Sequence, residues 1–391
     1  MKNEGLTNTE NRVRNSEIRP DGPSRPRRTR PRNPQSAFER LMAKAFCLAE
    51  KGLGYTSPNP PVGAILIKNG EIVGAGYHRK AGLPHAEIEA LKKAGEHARG
   101  ATLVVTLEPC SHFGKTPPCA DALIAAGVSK VVSATCDPNP VVSGSGYGKL
   151  RDAGIEVVDG VMKNYSREFY RPYFKYITTG LPFVTLKFAQ SLDGRIATSS
   201  GHSQWISSQE SLVFSHRLRA VSDAVLVGSG TLRKDNPKLT TRLVKGKNPI
   251  RIVLSASGRF PRSRDIFTDG QSQTYIATSG KVSINVRNGY EVINVRKGSA
   301  GLNLNDLRIK LGRMGIMNML VEGGGGVLTS FLKQRQADKI VVCVAPMIIG
   351  KGIDAIGDLG IRRLDNAVRL DGVEFTKSGP DCIMSGYPVW R

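Results

Sequence analysis

Two cysteines, a histidine and a glutamate are the residues of this sequence whose types and spacing best suit metal chemistry. Cys110 and Cys119 lie nine positions apart in the stretch EPCSHFGKTPPC, and His85 and Glu87 lie upstream in PHAEIEA. One imidazole and two thiolates are the ligands that a catalytic zinc ion takes when its fourth tetrahedral position is left for water. The sequence therefore predicts a catalytic zinc site with His85, Cys110 and Cys119 as ligands.

Glu87 is the predicted proton carrier of that site. It follows His85 by two positions, and H-x-E combined with P-C-x-x-C is typical of zinc-dependent nucleobase deaminases. In that chemistry zinc activates a water and the carboxyl group delivers a proton to the departing amine. The cysteines here are separated by eight residues rather than two. The segment SHFGKTPP is therefore predicted to loop out, with its two prolines returning the chain to Cys119.

The alternative for these residues is structural, with two buried cysteines acting as small apolar side chains and His85 as a histidine at a helix start. We favour the metal site because His, Glu and two Cys occur together with proline-fixed turns, a rarer coincidence than a lone motif. His112 is interpreted as a loop or substrate-contacting residue rather than a rival ligand. Whether His78, at the end of a predicted strand, faces the substrate is left open by the sequence.

The elements that must position this site follow a regular order. Apolar residues at helical spacing in AFERLMAKAFCLAEKG predict a first helix, and two short apolar runs joined by Asn69-Gly70 predict a hairpin. The patterns that follow indicate helix, strand, helix and strand over HAEIEALKKAGEHA, ATLVVTL, ADALIAAG and KVVSAT. This order predicts a layered α/β domain. We expect all three ligands to lie at helix N-termini, where the helix dipole favours a thiolate.

A second α/β block begins near Leu181 and carries none of these ligands. Its predicted strands are PFVTLKFA, DAVLVG, PIRIVLS, TYIATS, NMLVEG and KIVVCVAP, with helical patterns between several of them. The run NMLVEGGGGVLTSFLKQ predicts a strand, a glycine-rich turn and a helix, a geometry in which backbone N–H groups can hold phosphate. The spacing is not the G-x-G-x-x-G fingerprint of dinucleotide-binding folds. On its residues alone, a simple tight turn is the more common explanation.

Length and composition define the class of protein. A chain of 391 residues suggests two or three domains, and 40% hydrophobic with 23% charged residues is ordinary for a globular enzyme. No apolar run approaches the roughly 20 residues of a membrane span. Six scattered cysteines without a signal peptide argue against a secreted disulfide framework. We therefore expect a cytoplasmic protein that has no membrane partner.

The net charge of +23 has one visible source in residues 1–35, which contain IRPDGPSRPRRTRPRNP. This segment is rich in Arg and Pro and is predicted to be a disordered basic tail. The simpler interpretation of the tail is a solvent-exposed arm, and the more specific alternative is a segment that contacts nucleic acid. The charge of the remaining chain would also favour a phosphate-bearing substrate. We do not expect a nucleic-acid partner, because no basic groove rich in aromatic residues is visible.

Several motifs together resemble one enzyme family. TSPNPPVGA, PHAEIEAL, TLEPCSHFGKTPPC and DPNP are similar to the deaminase domain of the bifunctional deaminase–reductases of riboflavin biosynthesis. The long loop between the cysteines separates that family from cytidine and transfer-RNA adenosine deaminases. FVTLKFAQSLDGRIATSSGHSQWIS, HRLRAVSDAVLVGSGTLRKDNPKLTTR and LVEGGG resemble the reductase half. The resemblance covers nearly everything from Phe38 onwards.

The resemblance implies a fold and two activities. The fold is a cytidine-deaminase-like α/β/α domain over residues 36–180, followed by a dihydrofolate-reductase-like α/β domain over residues 181–391. The first domain would use Zn²⁺ to remove an exocyclic amine from a phosphoribosylaminopyrimidine, with the ligands and Glu87 as assigned above. The second would use NADPH to reduce the ribosyl group to a ribityl chain. The expected assembly is a homo-oligomer.

The resemblance also implies binding residues in the second half. The expected cofactor contacts, including the glycine-rich turn, are Ala189, Trp205, Thr231, Asp235, Gly324, Gly325 and Gly326. The expected contacts to the phosphoribosyl substrate are Ser203, Arg219, Leu239, Arg242 and Glu322. The two arginines suit phosphate because guanidinium binds it bidentately.

Three other functions remain as alternatives. One is a deaminase whose second domain only binds ligand without reducing it. Another is a nucleic-acid deaminase recruited by the basic tail, whose binding would weaken steeply with salt. The third is a binding protein that uses the metal for stability alone and performs no reaction.

Overall fold

The structure is a computed structural model that describes residues 36–112, 117–140, 142–281, 289–299 and 301–390. The predicted basic tail and part of the predicted loop between the cysteines, residues 113–116, lie outside the described residues. The helices of at least seven residues are α1 (Ala37–Ala49), α2 (Ala86–Ala94), α3 (Cys119–Ala125), α4 (Ser145–Asp152), α5 (Lys163–Thr179), α6 (Gln209–Ala220), α7 (Ser229–Asp235), α8 (Leu304–Arg313) and α9 (Gly325–Lys333). Within these ranges, no helix is both long and apolar enough to span a bilayer.

In the part of the chain that the structure describes, the strands form two main sheets and two small two-stranded ones. The strands of the first half are β1 (Gly63–Lys68), β2 (Glu71–Tyr77), β3 (Thr102–Val105), β4 (Lys130–Ser133) and β5 (Glu156–Val158). Those of the second half are β6 (Phe183–Ser191), β7 (Arg195–Thr198), β8 (Ala224–Gly228), β9 (Ile250–Leu254), β10 (Thr274–Thr278), β11 (Glu291–Asn294), β12 (Lys297–Gly298), β13 (Gly301–Leu302), β14 (Asn318–Val321), β15 (Lys339–Ala345), β16 (Gly352–Asp354), β17 (Arg369–Ser378) and β18 (Asp381–Val389).

The first sheet has the order β2-β1-β3-β4-β5, with β1 antiparallel to both of its neighbours and β3, β4 and β5 parallel. The predicted hairpin joins β1 to β2 through Asn69 and Gly70, whose φ angles of 53° and 83° suit a tight two-residue turn. Helix α1 begins with a capping box between Ser36 and Glu39. Its buried residues recur at helical spacing and pack on this sheet: Met42, Ala45, Phe46 and Ala49.

The second main sheet has nine strands in the order β11-β10-β9-β8-β14-β6-β15-β18-β17. The seven strands from β11 to β15 are mutually parallel, and β18 and β17 extend the sheet with antiparallel pairs. The six strands predicted for this half are present, and the β17–β18 hairpin was not predicted. Because parallel strands present their carboxyl ends at one edge, the loops there form a natural ligand site.

Helix α5 joins the two halves and contacts both. Its aromatic face packs in the first core, where Tyr165 and Phe169 lie against Phe46 at ring-centroid distances of 4.7 and 5.1 Å. Towards its C-terminal end, Lys175 Nζ lies 2.5 Å from a carboxylate oxygen of Asp338 in the second half. The sequence analysis predicts no helix for this stretch.

Candidate functional site

The three predicted metal ligands converge at one end of the first sheet. His85 is the N-cap of α2, Cys119 is the first residue of α3, and Cys110 lies in the loop after β3. Their ligand atoms all lie within 4.8 Å of one another. The expectation that all three lie at helix N-termini is wrong for Cys110. That side chain is brought to the site by a loop at the end of a strand.

The distances between the ligand atoms fit zinc. His85 Nδ1 lies 3.6 Å from Cys110 Sγ and 3.3 Å from Cys119 Sγ. A tetrahedral zinc with ordinary Zn–N and Zn–S bond lengths separates these atoms by about 3.5 Å. The donor set therefore matches the metal in atom type and in spacing, and it leaves the fourth coordination position to a ligand other than these three side chains.

The two thiols differ in acidity. A hydrogen bond from the Cys119 thiol, helped by His85, lowers the pKa of Cys110 to about 4. The same hydrogen bond, together with burial, raises the pKa of Cys119. The backbone N–H of Cys119 also donates to Cys110 Sγ, at 3.3 Å. Since the thiolate is the form that binds metal, both sulfurs must lose their protons when they act as ligands.

Glu87 lies in the first turn of α2 with its side chain buried, only 3% of the residue being exposed. Burial, with the charge of Cys110 second, raises the pKa of Glu87 to about 7. A carboxyl group that titrates near neutral pH is suited to give and take protons. The backbone of His85 is extended, with φ −72° and ψ 166°. This conformation lets His85 and Glu87 serve one site although they are two residues apart.

A buried histidine that the sequence left open lies beside the metal ligands. The ring of His78 is 5.2 Å from that of His85, in edge-to-face contact. His78 Nδ1 lies 3.1 Å from the carbonyl oxygen of Pro84 and Nε2 lies 3.3 Å from the Asn59 side-chain nitrogen. A carbonyl only accepts, so Nδ1 donates and Nε2 accepts from the amide. Burial lowers the pKa of His78, which favours this neutral form.

Little in the sequence indicated that Asn59 and His78 lie beside the metal ligands. Asn59 was part of a quoted motif without a role, and His78 was a lone histidine at a strand end. His112 is exposed and precedes the residues outside the described ranges. Its expected loop position is consistent with the structure, and a contact with substrate stays a prediction.

The second half contains a cavity of about 680 Å³ at the carboxyl ends of β6, β8, β9 and β14. Ligand sites commonly have volumes of about 300–1,000 Å³. The predicted residues that line this cavity are Ala189, Ser203, Arg219, Thr231, Asp235, Leu239, Glu322, Gly324, Gly325 and Gly326. Trp205 and Arg242 lie outside the lining. Trp205 is 75% exposed with a φ of 67°, and Arg242 is also exposed.

A partly buried ion pair forms part of the cavity wall. Arg219 Nε and Nη2 lie 2.9 and 2.8 Å from Glu322 Oε2, and Arg219 Nη1 donates to the carbonyl oxygen of Thr240. The other carboxylate oxygen, Glu322 Oε1, is buried and has no hydrogen-bond partner among the described residues. Leaving such an acceptor unsatisfied costs about 1–3 kcal/mol. A hydroxyl group on a bound ligand would satisfy it.

The cavity is also positively charged. Lys187 and Lys234 line it together with Arg219, which suits ligands that carry phosphate. The glycine-rich turn borders the cavity as predicted, and the N–H of Gly324 donates to Thr231 Oγ1 at 3.2 Å. Lys187 was missed. The feature of the sequence that could have indicated it is a lysine inside the mostly apolar strand PFVTLKFA.

A second buried histidine supports Arg219 and makes stability depend on pH. His216 Nε2 lies 3.4 Å from Arg219 Nη1 and must accept, because guanidinium only donates. Burial, then the charge of Arg219, lowers the pKa of His216 to about 4, from 6.5 in an ordinary histidine. Between these values the unfolded chain binds more protons than the folded chain. His216 therefore makes folding less favourable as the pH falls from 6.5 towards 4.

We expect the urea-unfolding free energy to decrease over that pH interval and the decrease to be smaller in His216→Gln. The glutamine keeps a polar side chain but does not titrate. The measurement is a set of urea titrations of both proteins between neutral pH and about pH 4. Equal pH dependence in the two proteins would contradict the assignment of this titration to His216.

Comparison with known proteins gives the same two halves. Residues 35–135 match the family model of the cytidine and deoxycytidylate deaminase zinc-binding region, and residues 182–384 match that of the RibD C-terminal domain. The riboflavin biosynthesis protein RibD of Aquifex aeolicus is 47% identical over 347 residues, covering 88% of this chain and 96% of that protein. RibD of Escherichia coli K12 is 40% identical over 358 residues, covering 88% and 97%.

Solved structures agree in fold. Acinetobacter baumannii RibD superposes with a TM-score of 0.81 at 33% identity, covering 90% of this chain and 99% of that one. A Thermotoga maritima protein titled diaminohydroxyphosphoribosylaminopyrimidine deaminase/5-amino-6-(5-phosphoribosylamino)uracil reductase has a TM-score of 0.79 at 37% identity, with the same coverage. The predicted fold, a cytidine-deaminase-like domain followed by a dihydrofolate-reductase-like domain, is confirmed. The chain belongs to the RibD family of riboflavin biosynthesis proteins.

Proposed function

We propose that this chain catalyses two successive steps of riboflavin biosynthesis. The first is hydrolytic deamination of diaminohydroxyphosphoribosylaminopyrimidine, and the second is NADPH-dependent reduction of the ribosyl side chain to ribityl. The Thermotoga maritima relative is titled as the enzyme of both steps. The observation that carries the proposal is the set of three ligand atoms within 4.8 Å of one another, with Glu87 buried beside them.

In the deamination step, His85, Cys110 and Cys119 would hold Zn²⁺. When bound there, the metal supplies a Lewis acid that lowers the pKa of water. Glu87 accepts a proton from the attacking water and returns it to the leaving amine, a role suited to its raised pKa. Asn59 bonds the neutral His78, whose ring packs edge-to-face against that of His85 and helps to orient this ligand.

In the reduction step, NADPH supplies the hydride when bound in the cavity of the second domain. The glycine-rich turn with Thr231 would hold the cofactor, and Lys187 and Arg219 would hold the substrate phosphate. Glu322 Oε1 is placed to accept a hydrogen bond from a ligand hydroxyl. Trp205 and Arg242 would reach bound ligand from the rim.

We propose that the deaminase domain comprises residues 36–180 and the reductase domain residues 181–391. Gly180 directly follows α5 and adopts the left-handed conformation that ends helices. The next residues lead into β6, the first strand of the nine-stranded sheet. Both observations support a boundary at this glycine.

A coupled assay tests the two activities on one chain. Wild-type protein is expected to release ammonia from the pyrimidine and then to oxidise NADPH. Arg219→Met should leave ammonia release unchanged and slow NADPH oxidation about 10–100-fold, because it removes the proposed contact to the substrate phosphate and a hydrogen bond to a charged group contributes about 1.5–3 kcal/mol. Arg313→Met, which changes an exposed arginine of the same domain, is the matched control and should retain both rates.

Two outcomes would revise the proposal. Ammonia release by the wild type without any NADPH oxidation would favour a deaminase whose second domain only binds. Absence of both activities in zinc-loaded wild-type protein would overturn the assignment altogether.

A further inference from the structure

A buried carboxylate lies two residues before the ligand Cys110. Glu108 is 4% exposed, and it takes part in none of the ion pairs formed within the described ranges. A buried charge without an opposite charge requires hydrogen bonds to remain stable. The role of Glu108 can therefore be inferred from the hydrogen-bond donors around its carboxylate.

Five donors from one distant segment converge on this carboxylate. All belong to residues 136–147, which follow β4 and lead into α4. Oε2 accepts from Cys136 Sγ at 2.9 Å and from two backbone N–H groups, those of Asp137 at 3.1 Å and Gly144 at 3.0 Å. Oε1 accepts from the backbone N–H groups of Gly146 and Tyr147 at 3.0 and 3.3 Å. Because three of these N–H groups lie at the N-terminus of α4, the helix dipole also favours the negative charge.

The start of α4 also packs directly on the backbone around Cys110. A Cβ atom on Gly146 would lie 2.0 Å from the carbonyl oxygen of Pro109, so only glycine permits this approach. On the other side of Cys110, Ser111 Oγ lies 2.6 Å from Ser145 Oγ. The residues before and after this ligand are thus both held by the same helix start.

We propose that Glu108 is a positioning residue for deamination. Its carboxylate holds residues 136–137 and 144–147 against the loop that carries Cys110, and this fixes the position of Cys110 and of the adjoining wall of the site. The residue acts through its neighbours and contacts no reacting atom. A carboxylate is required because both of its oxygens accept hydrogen bonds. A glutamine would turn an NH₂ group towards N–H donors.

The inference rests on the proposed deaminase function, but it also predicts a change in zinc affinity that can be measured without an activity assay. Residues that orient metal ligands typically contribute about 10–100-fold to metal affinity or activity. In the full-length chain, Glu108→Gln should therefore raise the zinc dissociation constant about 10–100-fold, measured by competition with a chelator. At saturating zinc the KM for the pyrimidine should rise. NADPH oxidation on the deaminated substrate should stay at the wild-type rate, because that cavity lies in the other domain.

Glu156→Gln is the matched control, since Glu156 is an exposed glutamate of the same sheet paired with Lys130. It should change neither zinc affinity nor KM. Gly146→Ala is a second variant, which separates α4 from Pro109 and leaves the Glu108 carboxylate in place. It should weaken zinc binding by a similar factor. Retained NADPH oxidation in each variant reports a folded reductase domain, and a cooperative urea-unfolding transition of the deaminase domain reports that this domain is folded as well.

Wild-type zinc affinity and KM in both Glu108→Gln and Gly146→Ala would overturn the inference. The same holds if NADPH oxidation falls in parallel with deamination, because Glu108 would then support the fold in general. If wild-type protein releases no ammonia, the proposed function fails. The zinc titration of the variants still decides the role of Glu108.

Discussion

Replacing Glu87 with glutamine is expected to slow ammonia release about 10²–10⁴-fold, the usual contribution of a general acid–base group. Glutamine has nearly the shape of glutamate but does not titrate near neutral pH, so it cannot transfer the proton. The three ligand side chains are unchanged, and zinc should remain bound. The measurements are initial rates of ammonia release at saturating substrate and the metal content of the same sample.

Glu89→Gln is the control for that experiment. Glu89 lies two residues further along α2 and is paired with Arg79 at the surface, so its replacement should leave the rate unchanged. Full activity in Glu87→Gln would favour a protein that uses the metal only for stability. Loss of zinc from that variant would instead make Glu87 part of the metal site.

Cys119→Ala is expected to abolish both zinc binding and deamination. Cys119 is completely buried, and its removal leaves one imidazole and one thiolate, fewer than the three protein ligands that hold a catalytic zinc. NADPH oxidation on the deaminated substrate should persist, because the second cavity contains none of the ligands. Metal analysis after dialysis and the coupled assay measure these results.

The matched substitution for this prediction is Cys382→Ala, which removes an exposed cysteine of the second domain. We expect it to bind zinc and to deaminate at the wild-type level. Stoichiometric zinc in Cys119→Ala would show that the metal is held by other residues and would refute the ligand assignment.

The zinc ligands were predictable because the chemistry restricts their types and order. His85, Glu87, Cys110 and Cys119 form a short pattern whose coincidence in one chain is informative. The way in which Cys110 reaches the site was not predictable. Sequence periodicity identifies helices and strands, but it does not show which residue of a loop faces a metal.

Glu108 and helix α5 show what sequence patterns do not contain. Glu108 is a single acid in a loop, and its five donors come from a segment about thirty positions away. Helix α5 contains Pro172 and an aromatic face rather than a simple apolar stripe, so periodicity did not predict it. The β17–β18 hairpin was missed because much of β17 is exposed and offers no buried face to recognise.

The cavity of the second domain could be anticipated in part. The succession of strands along the chain and the glycine-rich turn were visible in the sequence, and the parallel strands bring their carboxyl ends to one edge. The pairing of Arg219 with Glu322 joins residues about a hundred positions apart. That contact depends on the order of strands in the sheet, which the sequence did not specify.

Because helix α5 contacts both halves of the chain, it limits the positions at which the enzyme can be divided into two separate proteins. A fragment that stops before Lys163 would lose the rings of Tyr165 and Phe169 from its interior and leave a hole next to Phe46. A fragment that stops after Thr179 would keep them and give up the bonds of α5 to the second half, among them those of Lys175 to Asp338 and of Tyr176 to the carbonyl oxygen of Gly312. The Asp338 carboxylate would still accept the N–H of Val184, 2.7 Å away. A gene encoding the reductase alone should therefore start at Gly180, and its partner gene should include the whole helix.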